Sequence, residues 1–223
     1  MSDETKPAFT VPLQPRARDV IESVQRKRGY TLPYHRMFAA WAPELLASYD
    51  AFYEQLTLVP RVLTAIERET VWAALLAAAR EEHGFIHMKR ALAAGLTQGD
   101  IARAVMVAAV TEAFTVTAFA GANWSAWTLP DDLERRYLAA FDAVRGDLAP
   151  GLAHLAALVA MGARRDRLGM VLHLRHAFAA GVTQAQACEG LSYILLPCGG
   201  NTLIEAVAFW EDAAAEGGVP PPY

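Results

Sequence analysis

A segment of twelve residues occurs twice in this chain, and it limits the folds that the chain can adopt. The segment begins at His87 as HMKRALAAGLTQ and again at His173, 86 residues later, as HLRHAFAAGVTQ. Both copies keep the histidine, the glycine, the threonine and the alanines between them. Alanine favours a helix, and glycine followed by threonine is typical of one helix ending and the next beginning. The repeat therefore predicts two similar helical hairpins.

The rest of the chain predicts an all-α fold. Hydrophobic residues make up 54% of 223 positions, which is enough for one or two well-filled cores. Apolar residues recur at three- and four-residue steps, and β-branched runs are short. We expect helices at about 43–58, 61–79, 82–95, 98–119, 131–145, 151–163, 167–180, 184–196 and 200–215. We divide the chain into an N-terminal arm (1–34), a first repeat (35–129), a linking helix with the second repeat (130–216), and a tail (217–223).

Charge and composition argue against several classes of protein. The net charge is −4, so no basic patch is expected that would neutralise nucleic-acid phosphates. Charged residues or prolines interrupt every apolar run before the roughly 20 residues that span a bilayer. The first ten residues lack the layout of a signal peptide. We therefore expect a cytoplasmic protein without a nucleic-acid or membrane partner.

One side of the predicted helix 82–95 carries most of the candidate catalytic side chains. This side, together with the position one turn before it, is called the stripe here and contains Arg80, His83, His87, Arg90, Ala91 and Ala94. A core position needs no imidazole, so a histidine kept in two diverged copies indicates a site at His87. Glu82 lies in the first turn, where the helix dipole stabilises a carboxylate, although a solvated role is equally open.

Two residues on the preceding helix complete the candidate site. Glu69 lies in an apolar stretch 18 residues before His87, and a buried carboxylate there needs a partner. Trp72 can supply an apolar wall, with core packing as the alternative. In the second copy, counted at a constant offset of 86, Gly169 replaces His83 and Asp166 replaces Arg80. We therefore expect one working site in the first copy and a structural role for His173, with two sites as the alternative.

The remaining histidines and the cysteines fall outside this pattern. We interpret His35 and His154 as isolated structural or surface residues. Cys188 and Cys198 are ten residues apart, which matches no zinc or redox motif, and we interpret them as buried free thiols.

These motifs resemble the carboxymuconolactone decarboxylase and alkyl hydroperoxidase D-like family. In the decarboxylase branch, Gly-Arg-Glu-x-Glu-Leu precedes His-Leu-Arg-x-Ala-Leu-x-x-Gly-Val-Thr; here AREEH precedes the copy at His87, and the copy at His173 is similar to the second pattern almost throughout. His83 replaces that branch's glutamate. The peroxidase branch carries Cys-x-x-Cys-x-x-x-His, and its cysteines would fall at Arg80 and His83. The chain is thus identified as a tandem-repeat member without the thiol pair, and thiol-based peroxidase chemistry is excluded.

The resemblance, together with the stripe, implies a cofactor-independent decarboxylase or a related proton-transfer enzyme. Its substrate is expected to be a small anionic carbonyl compound or lactone. His87 is the expected general acid, because imidazole's ordinary pKa near 6.5 suits proton transfer at neutral pH. Arg80 or Arg90 is expected to hold the substrate carboxylate, and His83 to donate to the carbonyl or lactone oxygen. Glu69 is the expected catalytic carboxylate, and Glu82 and Trp72 further substrate contacts.

Two other functions remain open at this point. His83 and His87 have the i, i+4 spacing at which two imidazoles can share a metal ion, with Glu69, Glu82 or Glu112 as a third ligand. The chain can also be a non-catalytic, oligomeric ligand binder. The resemblance also implies a ring-like homo-oligomer, which for a tandem-repeat chain is a trimer.

Overall fold

The computed structural model describes residues 11–223, and these residues form helices without any strand. The predicted all-α fold is confirmed. The helices are α1 (Pro15–Arg28), α2 (Pro33–Trp41), α3 (Pro43–Tyr53), α4 (Ala65–Ala79), α5 (Phe85–Ala93), α6 (Gln98–Asn123), α7 (Pro130–Arg145), α8 (Pro150–Ala163), α9 (Arg167–Ala179), α10 (Gln184–Ser192), α11 (Leu195–Cys198) and α12 (Gly200–Glu216). A π-helical turn, Glu54–Leu58, follows α3, and a 3-10 turn, Glu82–Gly84, precedes α5.

The chain divides into two compact units at Val59. The first contains α1 to α3 around a small core of Val20, Val24, Ala39 and Leu46. Arg28 donates to Asp50 at 2.9 Å in this unit, and His35 accepts from the backbone N–H of Leu32. The predicted arm over 1–34 is therefore helical from Pro15 onward, and its first ten residues lie outside the described part. Prolines stand at the first positions of α1, α2 and α3, where a missing N–H costs nothing.

The second unit packs α4, α6, α7 and α8 around a core made largely of alanine. This core contains Ala74, Ala78, Val107, Ala108, Phe141, Ala153, Ala156, Ala157 and Ala160. Small side chains allow two helix axes to approach to the short end of the usual range of about 8–10 Å. The rigid α4–α8 contact therefore follows from the alanine content of both helices, and it fixes the helix that carries Glu69.

The helix–turn–helix connections predicted from the repeat are confirmed. Gly95 and Gly181 have φ angles of 104° and 89°, the left-handed region that favours glycine. Thr97 caps α6 and Thr183 caps α10, each in a reciprocal capping box with the residue three positions later. These turns join α5 to α6 and α9 to α10.

The predicted constant offset of 86 residues between the two copies is wrong for the residues that precede His87 and His173. Arg80 and Arg165, 85 residues apart, are both left-handed, with φ angles of 55° and 59°, just after α4 and α8. A Cβ added to Gly84 would lie under 3.0 Å from Leu76, and one added to Gly169 equally close to Met161. Both glycines thus occupy the same kind of close contact, again 85 residues apart. The first copy turns through a 3-10 segment while α9 is continuous, and this accounts for the one-residue difference.

The C-terminal tail packs back onto the second unit. The indole N–H of Trp210 donates to the carbonyl of Pro220 at 2.7 Å, and Gln184 donates to the carbonyl of Pro221 at 2.7 Å. Val219 is buried. Cys188 lies near the tail and is exposed rather than buried, and both cysteines are free thiols.

Helix α6 is more apolar and more exposed than the sequence analysis expected. Between Ala104 and Trp124 it carries a single charged residue, Glu112. By length and composition it is the one helix of the described residues that meets the criteria for a membrane span, and α7 with α8 meets them only as a pair bent by 112°. This is weak evidence for a membrane, because helices of soluble proteins meet the same criteria. Only 28% of its most apolar stretch is buried, however, so α6 presents an uncovered apolar face.

Candidate functional site

Glu69 and His87 form a buried pair in the second unit. The Glu69 Oε2 atom lies 2.9 Å from Nδ1 of His87, and the two residues are 0% and 4% exposed. Arg68 Nε donates to the other carboxylate oxygen of Glu69 at 3.1 Å. Glu69 projects from α4 and His87 from the first turn of α5, so the site depends on the packing of these two helices. The carboxylate fixes Nδ1 as the bonded nitrogen and leaves Nε2 for chemistry.

Two aromatic rings stack on this pair. The ring of Trp72 lies 4.1 Å from that of His87 with an interplanar angle of 24°, and Tyr193 stacks on the other side of Trp72 at 4.8 Å. The indole Nε1 of Trp72 is buried and has no hydrogen-bond partner among the described residues. A buried N–H that is left unpaired costs about 1–3 kcal/mol. It is therefore available to a water molecule or a ligand oxygen beside His87.

Tyr193 was missed by the sequence analysis because it lies outside the repeated segment. Its hydroxyl donates to Glu189 at 2.6 Å, and the same carboxylate accepts from the backbone N–H groups of Val62 and Leu63. The C-terminal end of α10 is thereby tied to the loop before α4. This arrangement holds the ring of Tyr193 against Trp72.

The environment of His87 lowers its pKa below the ordinary value. Burial is the largest cause, because it disfavours the charged ring. Hydrogen bonding and charge attraction from Glu69 oppose the shift, and the positive charges of Arg90 and Arg68 add to it. The resting ring is therefore neutral at neutral pH, and Glu69 stabilises the imidazolium once a proton arrives.

Arg80 and Glu82 line an open cavity of about 350 Å³ rather than contacting the pair. Its walls also contain Phe85, Met88 and Val105. Arg80 donates to Glu112 at 2.8 Å across the mouth of this cavity, so its guanidinium is held by a carboxylate. Glu69 and His87 do not line this cavity.

His83 does not share the stripe that the sequence predicted. α5 begins at Phe85, and His83 lies in the preceding 3-10 turn, where it is exposed while His87 is buried. The predicted helix start at residue 82 is thus three residues too early. Among residues 11–223 no group of three His, Cys, Asp or Glu side chains is placed to hold a metal ion. Arg90 is half-buried on α5, and it is close enough to His87 for its charge to lower the pKa of that ring.

The comparison with protein families covers the helices that carry this site. The model of the carboxymuconolactone decarboxylase family matches residues 43–126. In this segment the chain is similar to the carboxymuconolactone decarboxylase family. The matched range includes both members of the Glu69–His87 pair. Neither the curated proteins nor the solved structures contain a match to the chain.

A second buried histidine pair lies beyond the segment matched by the carboxymuconolactone decarboxylase family. Nδ1 of His173 lies 2.8 Å from Nδ1 of His154, and Nε2 of His173 lies 2.7 Å from the hydroxyl of Tyr137. His154 is thus not isolated. It precedes Arg165 by as many residues as Glu69 precedes Arg80, so His154 and Glu69 occupy equivalent places in the two copies. In the part of the chain that the structure describes, no carboxylate bonds to this pair. Burial lowers the pKa of His154 to about 4 and that of His173 well below its ordinary value.

Proposed function

We propose that the chain is a cofactor-independent decarboxylase, or a related proton-transfer enzyme, that acts on a small anionic carbonyl compound or lactone. The observation that carries this proposal is the buried Glu69–His87 pair within the matched family segment. A histidine oriented by a buried carboxylate through Nδ1 can accept and return a proton at Nε2.

The protonation states determine how the pair would work. Loss of CO₂ breaks a C–C bond and leaves its electron pair on carbon, where a conjugated carbonyl spreads the charge as an enolate. His87 protonates that carbon and takes a replacement proton from solvent. Burial favours the neutral ring, but the negative charge of a bound substrate adds to that of Glu69 and favours the imidazolium. Substrate binding therefore produces the acid form that the reaction needs.

Trp72 and Arg90 are the neighbours best suited to hold the substrate. The unpaired indole N–H of Trp72 can donate to the carbonyl or lactone oxygen, the role that the sequence analysis gave to His83. Arg90 is close enough to His87 for its charge to lower the pKa of that ring, so we assign the substrate carboxylate to Arg90. Arg80 and Glu82 then line the cavity of about 350 Å³ and do not contact the reacting centre.

The function is tested by decarboxylation in deuterated water. Release of CO₂ from a panel of β-oxo acids and carboxylated lactones, with one solvent deuteron in the product carbon, supports the proposal. Glu69→Gln keeps a hydrogen bond to Nδ1 but removes the charge, and we expect turnover to fall by about 10²-fold or more. Glu205→Gln removes an exposed carboxylate that pairs with Arg165 at 3.3 Å and serves as the matched control. Equal rates in both variants would contradict a role for Glu69.

We also propose that the second half of the chain is a diverged copy of the first, with a structural rather than a catalytic histidine. Matching caps at Thr97 and Thr183, and left-handed residues at Arg80 and Arg165, support a common origin. Replacement of the carboxylate by His154 removes the negative charge that would stabilise a protonated His173.

We further propose a homotrimer in which α6 contacts another copy. The residues Ala102, Met106, Ala109, Ala113, Val116 and Ala120 recur at alternating steps of four and three, and all but Ala120 are exposed. This is the spacing of a helix–helix seam, and its small side chains permit close approach. The face needs a cover in water, because monomeric proteins rarely expose large apolar patches.

The oligomer is tested by light scattering. We expect about 73 kDa, three times the chain mass of 24.2 kDa. Ala113→Glu places a charge in the seam and should lower the mass, whereas Ala139→Glu, on the exposed side of α7, should not. A 24.2 kDa species over a wide concentration range would remove the trimer from consideration.

A further inference from the structure

The second unit contains a cavity of about 490 Å³ that the proposed reaction does not use. It lies between the C-terminal half of α6, the start of α7, the outer side of α9 and the end of α12. Its apolar lining includes the buried residues Phe114 and Val171, together with Leu133 and the exposed Leu168. The volume falls within the range of about 300–1,000 Å³ that is typical of small-molecule sites. Neither Glu69 nor His87 takes part in it.

Two guanidinium groups stand at the rim of this cavity. Arg167 and Arg175 lie two helical turns apart on the same side of α9, and Glu216 of α12 reaches between them. One carboxylate oxygen of Glu216 lies 2.9 Å from Arg167, and the other lies 3.7 Å from Arg175. Arg167 also pairs with Asp212 at 3.6 Å. The two arginines are therefore already arranged around a single carboxylate.

Arg175 has the greater capacity for a further ligand. Its distance of 3.7 Å to Glu216 is longer than a hydrogen bond, and its side chain is 49% exposed. A guanidinium presents five N–H donors that match a carboxylate in a bidentate arrangement. The neighbouring rim residue His176 is held in place, because its ring stacks on that of His154 at 4.9 Å.

We propose that this cavity binds a small carboxylic acid with an aromatic or branched apolar body. The apolar body packs against the apolar lining, and the carboxylate bonds to Arg175 and Arg167. Glu216 competes for the same guanidinium groups and thus acts as an internal competitor that the ligand displaces. Gly217 follows Glu216 directly with a φ angle of 87°, and α12 ends there, so the displaced residue belongs to the last turn of its helix.

The arrangement favours an acid over an amine. Glu134 is the other carboxylate of the lining, and it is exposed on α7. Once Glu216 is displaced, Arg167 still pairs with Asp212 at 3.6 Å, and Arg175 is the guanidinium left for an incoming carboxylate. An ammonium ligand would have Glu134 as its partner in the lining unless it displaced an arginine from Glu216, and the two guanidinium groups would repel it.

The test uses calorimetric titration of the full-length protein with phenylacetate, phenylacetamide and phenethylamine. We expect phenylacetate to bind at least about tenfold more tightly than the other two, which corresponds to about 1.4 kcal/mol. Arg175→Gln should weaken phenylacetate binding by about tenfold, whereas Glu216→Gln should tighten it several-fold because the competitor loses its charge. Arg26→Gln is the matched control, since Arg26 is an exposed arginine with a carboxylate at a comparable 3.6 Å.

Arg175→Gln is expected to weaken phenylacetate binding and Glu216→Gln to tighten it, so the two variants test the proposal in opposite directions. No binding of phenylacetate at millimolar concentration, equal affinity for the acid and the amide, or weaker binding in Glu216→Gln would each overturn it. His87→Gln should leave phenylacetate binding unchanged. A loss of binding in that variant would place the acid at the Glu69–His87 pair instead. Binding of the acid in this cavity is therefore tested independently of the proposed reaction.

Discussion

Replacement of His87 by glutamine is expected to reduce turnover by about 10²–10⁴-fold, the contribution that a positioned proton-transfer group typically makes. Glutamine can bond to Glu69, but it cannot carry a proton to carbon near neutral pH. The ring is 4% exposed and stacks on Trp72, so the helical fold should survive with a modest loss of packing. Steady-state rates, with circular dichroism and light scattering to check fold and assembly, measure the effect. Undiminished turnover would eliminate His87 as the acid.

His173→Gln is the matched variant in the second half of the chain. His173 is fully buried and bonds to His154 and Tyr137, and within residues 11–223 no carboxylate bonds to it. We therefore expect far less loss of activity than in His87→Gln. Urea unfolding of both variants measures their stability in parallel. Equal loss of activity in both variants, at equal folded fraction, would show that the two halves act together.

The local structure around the repeated segment could be predicted because its signals lie within a few residues of one another. A threonine that caps a helix needs only the residue three positions later, and the glycine before it needs only a left-handed φ angle. The Glu69–His87 pair could also be predicted from the sequence. A carboxylate in an apolar stretch requires a buried partner, and the candidate histidine lies on the next helix.

The register of the second half could not be predicted from the repeat alone. A constant offset assigns Asp166 to Arg80 and His154 to Arg68 rather than to Glu69. The 3-10 turn at Glu82–Gly84 shortens the first copy by one residue, and this is visible only in the structure. The pairing of His154 with His173, and the stacking of Tyr193 on Trp72, depend on packing between helices that are distant in sequence.

The helices in the predicted arm were missed for a different reason. A proline interrupts a helix when it lies in the interior, but at the first position it favours helix formation. Pro15 and Pro33 stand at such starts within the predicted arm, and the segment around Pro15 was interpreted as an arm rather than a helix. The N-terminal core of Val20, Val24, Ala39 and Leu46 is only four residues large, which gives a weak periodic signal.

Acid is expected to destabilise the fold through its buried histidines. Burial lowers the pKa of His154 in the folded chain to about 4, below the ordinary value of 6.5 that applies when the chain is unfolded. The unfolded chain therefore binds a proton at His154 below about pH 6.5, whereas the folded chain binds it only below about pH 4. The free energy of unfolding falls as the pH is lowered between these two values. His173 shifts in the same direction. For His154 alone the loss is about 2 kcal/mol at about pH 5, and more is expected from the pair.

Urea unfolding at about pH 7.5 and about pH 5 measures this loss, and His154→Gln identifies its source. Glutamine keeps a hydrogen-bonding group beside His173 but does not titrate. The variant should be less stable than the original chain at the higher pH, because it loses ring stacking on Phe141 at 4.7 Å, and should lose less stability on acidification. His83→Gln removes an exposed imidazole and should leave the pH dependence unchanged. If His154→Gln loses as much stability between the two pH values as the original chain, the acid sensitivity lies elsewhere.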